Sequence, residues 1–178
     1  MSNSKTKPIF LCGMMGSGKT TVGKILADKL SFSFSDLDDV IEKAAGMSIP
    51  EIFDLKGEPE FRKIEKKLLF HAAEKSNMVI ALGGGALQNQ KIVDHLKLKG
   101  QLIFLDAPLS VLFSRVKNDS TRPILQNKNE SETKDRIQQL LKERMQYYRQ
   151  SHITVDAGLD DPGLVADSVI KKLSMHES

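Results

Sequence analysis

Short apolar runs of four or five residues alternate along the chain with longer stretches in which apolar positions recur every three or four residues. That alternation is the mark of strand–helix units feeding a parallel sheet. The runs at 8–12, 32–36, 78–82, 102–106 and 153–156 predict five strands. Residues 19–30 predict a helix, with Val22, Ile25, Leu26 and Leu30 on one face. Between the second and third strands the pattern is denser. Ser48 and Glu51 form a capping box, Pro50 sits in the first turn, and Gly57 can end that helix. Phe61, Ile64, Leu68, Leu69 and Ala72 then continue at helical spacing. A single crossover needs far less chain, so a small insertion is expected here. Residues 117–130, KNDSTRPILQNKNE, are polar, contain a proline and lose the periodicity. Long segments of that kind inside compact domains are often lids.

Composition narrows the class without naming a function. The 178 residues are enough for one domain spanning 1–178 with a real core and too few for two, and 40% hydrophobic with 28% charged residues is a globular balance. The net charge of +3 is spread along the chain with no dense Lys/Arg run, which suits anionic small ligands and argues against nucleic acid as a partner. No run approaches the roughly 18 apolar residues of a membrane span, and the polar stretch before Pro8 lacks the apolar core of a signal peptide. One cysteine, Cys12, leaves no disulfide framework, and in a buried first strand it reads as a small apolar residue. The four histidines form no cluster in the sequence. A monomer in the cytoplasm is the expectation.

The strongest chemical signal is GMMGSGKT, Gly13 to Thr20, which satisfies G-x-x-x-x-G-K-[ST] between a strand and a helix. Gly13, Gly16 and Gly18 allow backbone N–H groups to turn inward around phosphate oxygens at a positive helix end. Ser17 and Thr21 lie on the same cradle, Lys19 adds a cation for the β- and γ-phosphates, and the Thr20 hydroxyl can ligate Mg²⁺. ATP or GTP is implied.

Elsewhere the candidates are dispersed and each has a plainer reading. Asp36 and Asp38 fall at the end of the second strand, where open α/β sheets gather ligands; Asp38 could instead cap a helix starting at Asp39. Arg62 and Glu65 are spaced to pair on a helix, as a structural ion pair, a ligand clamp or both. Arg144 lies three after Leu141, four after Leu140, seven after Ile137 and four before Tyr148. A guanidinium on that apolar stripe either meets an anion or snorkels to the surface. Gly83-Gly84-Gly85 suits close approach to a ligand or a sharp turn. Arg115 precedes the expected lid and Arg122 lies inside it, where an arginine can close over phosphates or simply be solvated.

Taken in order, GMMGSGKT at 13–20, DLD at 36–38, FRKIE at 61–65, GGG at 83–85, TRPIL at 121–125, ERMQYY at 143–148 and VDAGLDDP at 155–162 resemble the shikimate kinase family. The resemblance implies a nucleoside monophosphate kinase-like P-loop fold, a three-layer α/β sandwich around a five-stranded parallel sheet. It implies an acceptor-binding region at about 37–65 and a lid at about 117–130. It implies that Asp38, Arg62, Gly84 (with Gly83 and Gly85 beside it) and Arg144 hold shikimate, the two arginines facing its carboxylate. Thr20 and Asp36 match the magnesium side, Lys19 and Arg122 the phosphate-stabilising side, and Arg115 and Pro162 the residues flanking adenine. The implied reaction is ATP plus shikimate giving ADP and 3-phosphoshikimate, on the way to chorismate and aromatic amino acids, with Asp38, Lys19 and Arg122 as its catalytic groups. One departure is Ala81, where the family often has Ser or Thr; it removes a water contact to magnesium and no direct ligand. The competing readings are a gluconate or nucleoside monophosphate kinase of the same fold, and a nucleotide sensor without catalysis.

Overall fold

The computed structural model describes residues 6–117 and 125–176. Thirteen elements follow in the order β1 (Ile9–Cys12), α1 (Lys19–Leu30), β2 (Ser33–Asp36), α2 (Leu37–Ala45), α3 (Ile49–Lys56), α4 (Glu58–Ala73), β3 (Met78–Ala81), α5 (Gln90–Lys99), β4 (Gln101–Asp106), α6 (Leu109–Val116), α7 (Glu130–Tyr148), β5 (Ile153–Asp156) and α8 (Pro162–His176). The strands form one parallel sheet in the order β2-β3-β1-β4-β5. All five expected strands are present, with ends shifted by at most a residue.

Every residue of β1 is buried, which a central strand requires when helices cover both faces of a parallel sheet. Phe10, Leu11, Ile80, Leu102, Ile103 and Leu105 are fully removed from solvent. Helices α1 and α8 pack together, α1 also lying on β3 and α8 on β5, while α5 packs on β4 and α4. Among the described residues no helix is long and apolar enough to cross a membrane.

Parallel pairing puts the carboxyl ends of three strands side by side. Leu11 is in register with Ala81, and Ala81 with Asp36. The loops leaving β1, β2 and β3 therefore open onto one edge of the sheet, where ligands bind in such folds. The connection from β2 to β3 contains three helices, as the dense patterning predicted. Its α3 has the Ser48–Glu51 capping box in both directions, with Pro50 in the first turn and Gly57 at the end.

The expected lid is described only at its ends. Residues 118–124, Arg122 among them, lie outside the described residues. At the far end α7 already begins at Glu130, one residue inside the segment read as aperiodic, because Asn129 and Glu132 form a second capping box.

Candidate active site

The loop from β1 to α1 has the backbone that its glycines allow. Gly13, Gly16 and Gly18 have φ of 146°, 80° and 89°, conformations that favour glycine, and Gly18 is the left-handed residue from which α1 starts. Lys19 donates to the carbonyls of Gly13 at 2.8 Å and Met14 at 3.0 Å, so its ammonium is folded back over the loop. Ser17 is 1% exposed and its hydroxyl oxygen has no partner among the described residues. Thr20 donates to Asp36 Oδ2 at 2.5 Å, joining the cradle to the end of β2.

Asp36, not Asp38, is the cap of α2: its Oδ1 accepts from the Asp38 N–H at 3.0 Å. The helix starts at Leu37, two residues earlier than the capping reading of Asp38 required, so that reading is withdrawn. Asp38 sits in the first turn with its side chain toward the cavity described next.

That cavity, of about 520 Å³, is lined by α2, α3, α4, α7 and the Gly83–Gly85 loop. Its apolar side includes Phe53 and Phe61, whose rings lie 4.8 Å apart. The Arg62 guanidinium lies 5.0 Å from the Phe61 ring centre and donates through Nη1 to Glu65 Oε2 at 2.8 Å. Its Nε and Nη2 reach Glu58 Oε1 at 3.3 and 3.2 Å. Glu65 is 1% exposed, and burial pushes its carboxyl above the usual carboxylate range against the opposing pull of Arg62.

Arg144 rises from α7 on the opposite side. Its Nη1 donates to the Met14 sulfur at 3.6 Å, and it forms no ion pair among the described residues. The glycine loop fits tightly against these arginines: a Cβ added to Gly84 would stand 3.1 Å from Arg144 Nη1, and one on Gly85 2.5 Å from Arg62 Nη2. Tyr148, one turn beyond Arg144, is buried, donates to the Gly84 carbonyl at 2.5 Å and stacks on Phe104 at 5.0 Å. Burial raises its phenol pKa, so it stays a donor.

A second cleft, of about 200 Å³, lies beyond the cradle, between Ser17, Gly18 and Thr21 on one wall and Arg115, Asp160 and Pro162 on the other. Arg115 is not a loose loop arginine. It donates to the carbonyls of Gly16, Ala157 and Leu159 at 3.0 to 3.2 Å. Ala81 is 1% exposed and brings no polar group to the site.

The structure places Arg115 and Pro162 on the second cleft, Thr20 and Asp36 together at the cradle, and Asp38, Arg62, Gly83–Gly85 and Arg144 on the cavity. Sequence reasoning missed Gln88, which donates to Glu65 Oε2 at 2.8 Å, and the tie from Tyr148 to Gly84. Neither has a local signal, since each contact spans more than 20 residues. Among the described residues no group of three His, Cys, Asp or Glu side chains is placed to hold a metal ion. A divalent ion here would therefore draw on Thr20, Asp36, phosphate oxygens and water, the donor set that suits Mg²⁺.

Comparison with known proteins agrees. The family model described as shikimate kinase matches residues 15–174. A shikimate kinase from Thermodesulfovibrio yellowstonii is 43% identical over 93% of this chain and 94% of its own, and one from Sulfurihydrogenibium sp. is 38% identical over 94% and 98%. The shikimate kinase from Acinetobacter baumannii, solved in complex with shikimate, superposes with a TM-score of 0.91 at 33% identity, covering 96% of this chain and 94% of that one. A gluconokinase from Sinorhizobium meliloti superposes at 0.59 with 15% identity, a likeness of fold alone. With a family match over residues 15–174 and relatives that cover more than nine-tenths of it, the chain belongs to the shikimate kinase family, ATP-dependent kinases of shikimate.

Proposed function

We propose that the 520 Å³ cavity holds shikimate with its carboxylate between Arg62 and Arg144 and its 3-hydroxyl against Asp38, in line with the γ-phosphate of ATP on the P-loop. The observation that carries this reading is Arg144. It is a half-buried cation without a carboxylate partner among the described residues, on the wall of a cavity whose other wall bears Asp38. A guanidinium removed from water needs an anion, and an acceptor carboxylate supplies it.

In this reading Asp38 accepts the hydrogen bond of the attacking hydroxyl and orients its oxygen. Lys19 leaves the Gly13 and Met14 carbonyls to meet phosphate oxygens, and the P-loop N–H groups hold the charge that develops there. Arg122, outside the described residues, is the second phosphate cation by resemblance, within a lid at about 117–130. Thr20 and Asp36 would hold Mg²⁺, which when bound neutralises phosphate charge. Arg115 and Pro162 flank the adenine in the second cleft, and Ser17 and Thr21 line its phosphate end. The single buried thiol is in keeping with the cytoplasm.

The test is ADP release with shikimate, gluconate and a nucleoside monophosphate as acceptors, each with and without Mg²⁺. Turnover confined to shikimate plus Mg²⁺ is expected. Turnover on gluconate or a nucleotide without any on shikimate would overturn the reading.

A further inference from the structure

Glu65 is the most deeply buried charge in the acceptor cavity, and its two hydrogen bonds fall on the same atom. Oε2 accepts from Arg62 Nη1 and from Gln88 Nε2, each at 2.8 Å. Oε1 has no donor. It points at Gly83, where a Cβ would stand 3.0 Å from it and 3.1 Å from Asp38 Oδ1. A carboxylate with so little solvent depends on the few donors it has.

We propose that Gln88 is a positioning residue for the acceptor's carboxylate: it holds Glu65 in the orientation that aims Arg62. The inference rests on the reading of Arg62 as a carboxylate ligand. Arg62 has two anchors, and they are unequal. Glu58 is reached at 3.2 and 3.3 Å by a side chain that is 56% exposed, so water competes for it. Glu65 is reached at 2.8 Å behind the protein surface and sets the guanidinium plane. The bond from Gln88, together with that from Arg62, holds Oε2 and keeps the Glu65 carboxyl from turning about its own axis. Gln88 also belongs to the loop that walls the cavity, its N–H donating to the Ala86 carbonyl at 3.1 Å just beyond the glycine triplet. Glu65, Arg62 and the glycine wall are thereby tied at one point.

The charges around Glu65 do not settle its state by themselves. Arg62 and Glu58 face it from its own helix, Asp38 and Glu42 line the same cavity from α2, and Arg144 comes from α7. Two cations stand against three other carboxylates. A neutral donor on Oε2 therefore favours the ionised form without adding charge, and burial opposes it. Loss of the donor raises the Glu65 pKa. Its proton then persists to higher pH, and Arg62 loses its anchor over that wider acid range.

Gln88→Met keeps the length and removes the donor; Gln88→Glu keeps the shape, removes the donor when ionised and adds a like charge. Kinetics for shikimate and ATP would be followed over about pH 5 to 9, spanning the carboxylate and neutral ranges. The Glu65 carboxyl would be titrated by ¹³C NMR in each folded variant. In Gln88→Met the KM for shikimate should rise roughly tenfold, as for loss of a hydrogen bond to a charged group, with kcat and the KM for ATP nearly unchanged. The acid limb of kcat/KM for shikimate and the Glu65 titration should both move to higher pH, further in Gln88→Glu. Acid limbs and titrations that superimpose on wild type would overturn the role, as would equal rises in both KM values. Arg62→Ala separates the two readings. If it leaves the KM for shikimate unchanged, the carboxylate-ligand reading fails; if it raises that KM while the Gln88 variants do not, only the role of Gln88 is overturned.

Discussion

The nucleotide half and the acceptor half of the site handle charge in opposite ways. Around the cradle, polar groups are matched largely by backbone: Lys19 rests on two loop carbonyls, Arg115 on three, and Thr20 on Asp36. Around the acceptor cavity, charged side chains meet other side chains, with Arg144 in no ion pair and Glu65 Oε1 without a donor among the described residues. A contiguous loop can satisfy its charged groups before its ligand arrives, leaving here the buried Ser17 hydroxyl without a partner among the described residues, whereas side chains converging from several helices are completed by the ligand. The first half should therefore fail through its backbone and the second through the aim of its side chains.

Two glycines put that contrast to its hardest test, with the larger effect expected on the cradle. Gly13 has a φ of 146°, and a Cβ there would meet the Leu105 carbonyl oxygen at 2.6 Å. Backbone cannot step aside, so Gly13→Ala should destabilise the fold by about 2 to 4 kcal/mol and abolish measurable ATP binding. Calorimetric titration with nucleotide, alongside urea unfolding, would show it; retained ATP affinity would break the comparison. Next in size is Asp38→Asn. Since Asp36 caps α2, the substitution should leave Tm within about 2 °C of wild type, while turnover falls at least roughly 10²-fold. Near wild-type turnover in a folded variant would remove Asp38 from the chemistry.

A smaller effect is expected from Gly85→Ala, because the nearest atoms to the new methyl, from 2.5 Å, belong to the Arg62 side chain and not to backbone. The fold should tolerate it, and the KM for shikimate should rise roughly tenfold through a displaced guanidinium. An equal loss of ATP affinity would mean that the two halves are not separable. The smallest effect lies away from both. His152 Nδ1 accepts from the Leu102 N–H at 3.1 Å, and burial first, then the charges of Lys97, His176 and Lys7, hold its pKa below the ordinary 6.5. The unfolded chain then binds more protons than the folded one, so the contribution is complete above 6.5 and fades as pH falls through the window beneath it. Urea midpoints at about pH 7.5 and pH 5 should differ less in His152→Asn than in wild type.

The legible parts of the site were those written in one stretch of chain. The cradle, the strand ends and the α3 capping box can be read from spacing alone because each is local. Asp38, Arg62 and Arg144 could be ranked by periodicity but not assigned, since whether a striped arginine meets an anion depends on what another helix brings to it. The alternative of Asp38 as a helix cap falls because the chain turns helical directly after β2, and Asp36 serves as the last residue of a strand and the first support of a helix. Gln88 was invisible because its meaning lies in Glu65, 23 residues back.

Cys12, the chain's single cysteine, closes the central strand with β3 on one side and β4 on the other. It is 1% exposed, its sulfur lies 3.3 Å from the Ser151 hydroxyl, and burial pushes its pKa up to about 12. In the folded protein the thiol is thus protonated and out of reach of reagents. Its labelling rate becomes a clock for opening of the sheet itself, readable in the wild-type chain without any added probe. Nucleotide and acceptor, each binding at the edge that β1 feeds, would both slow that clock by stabilising the closed form.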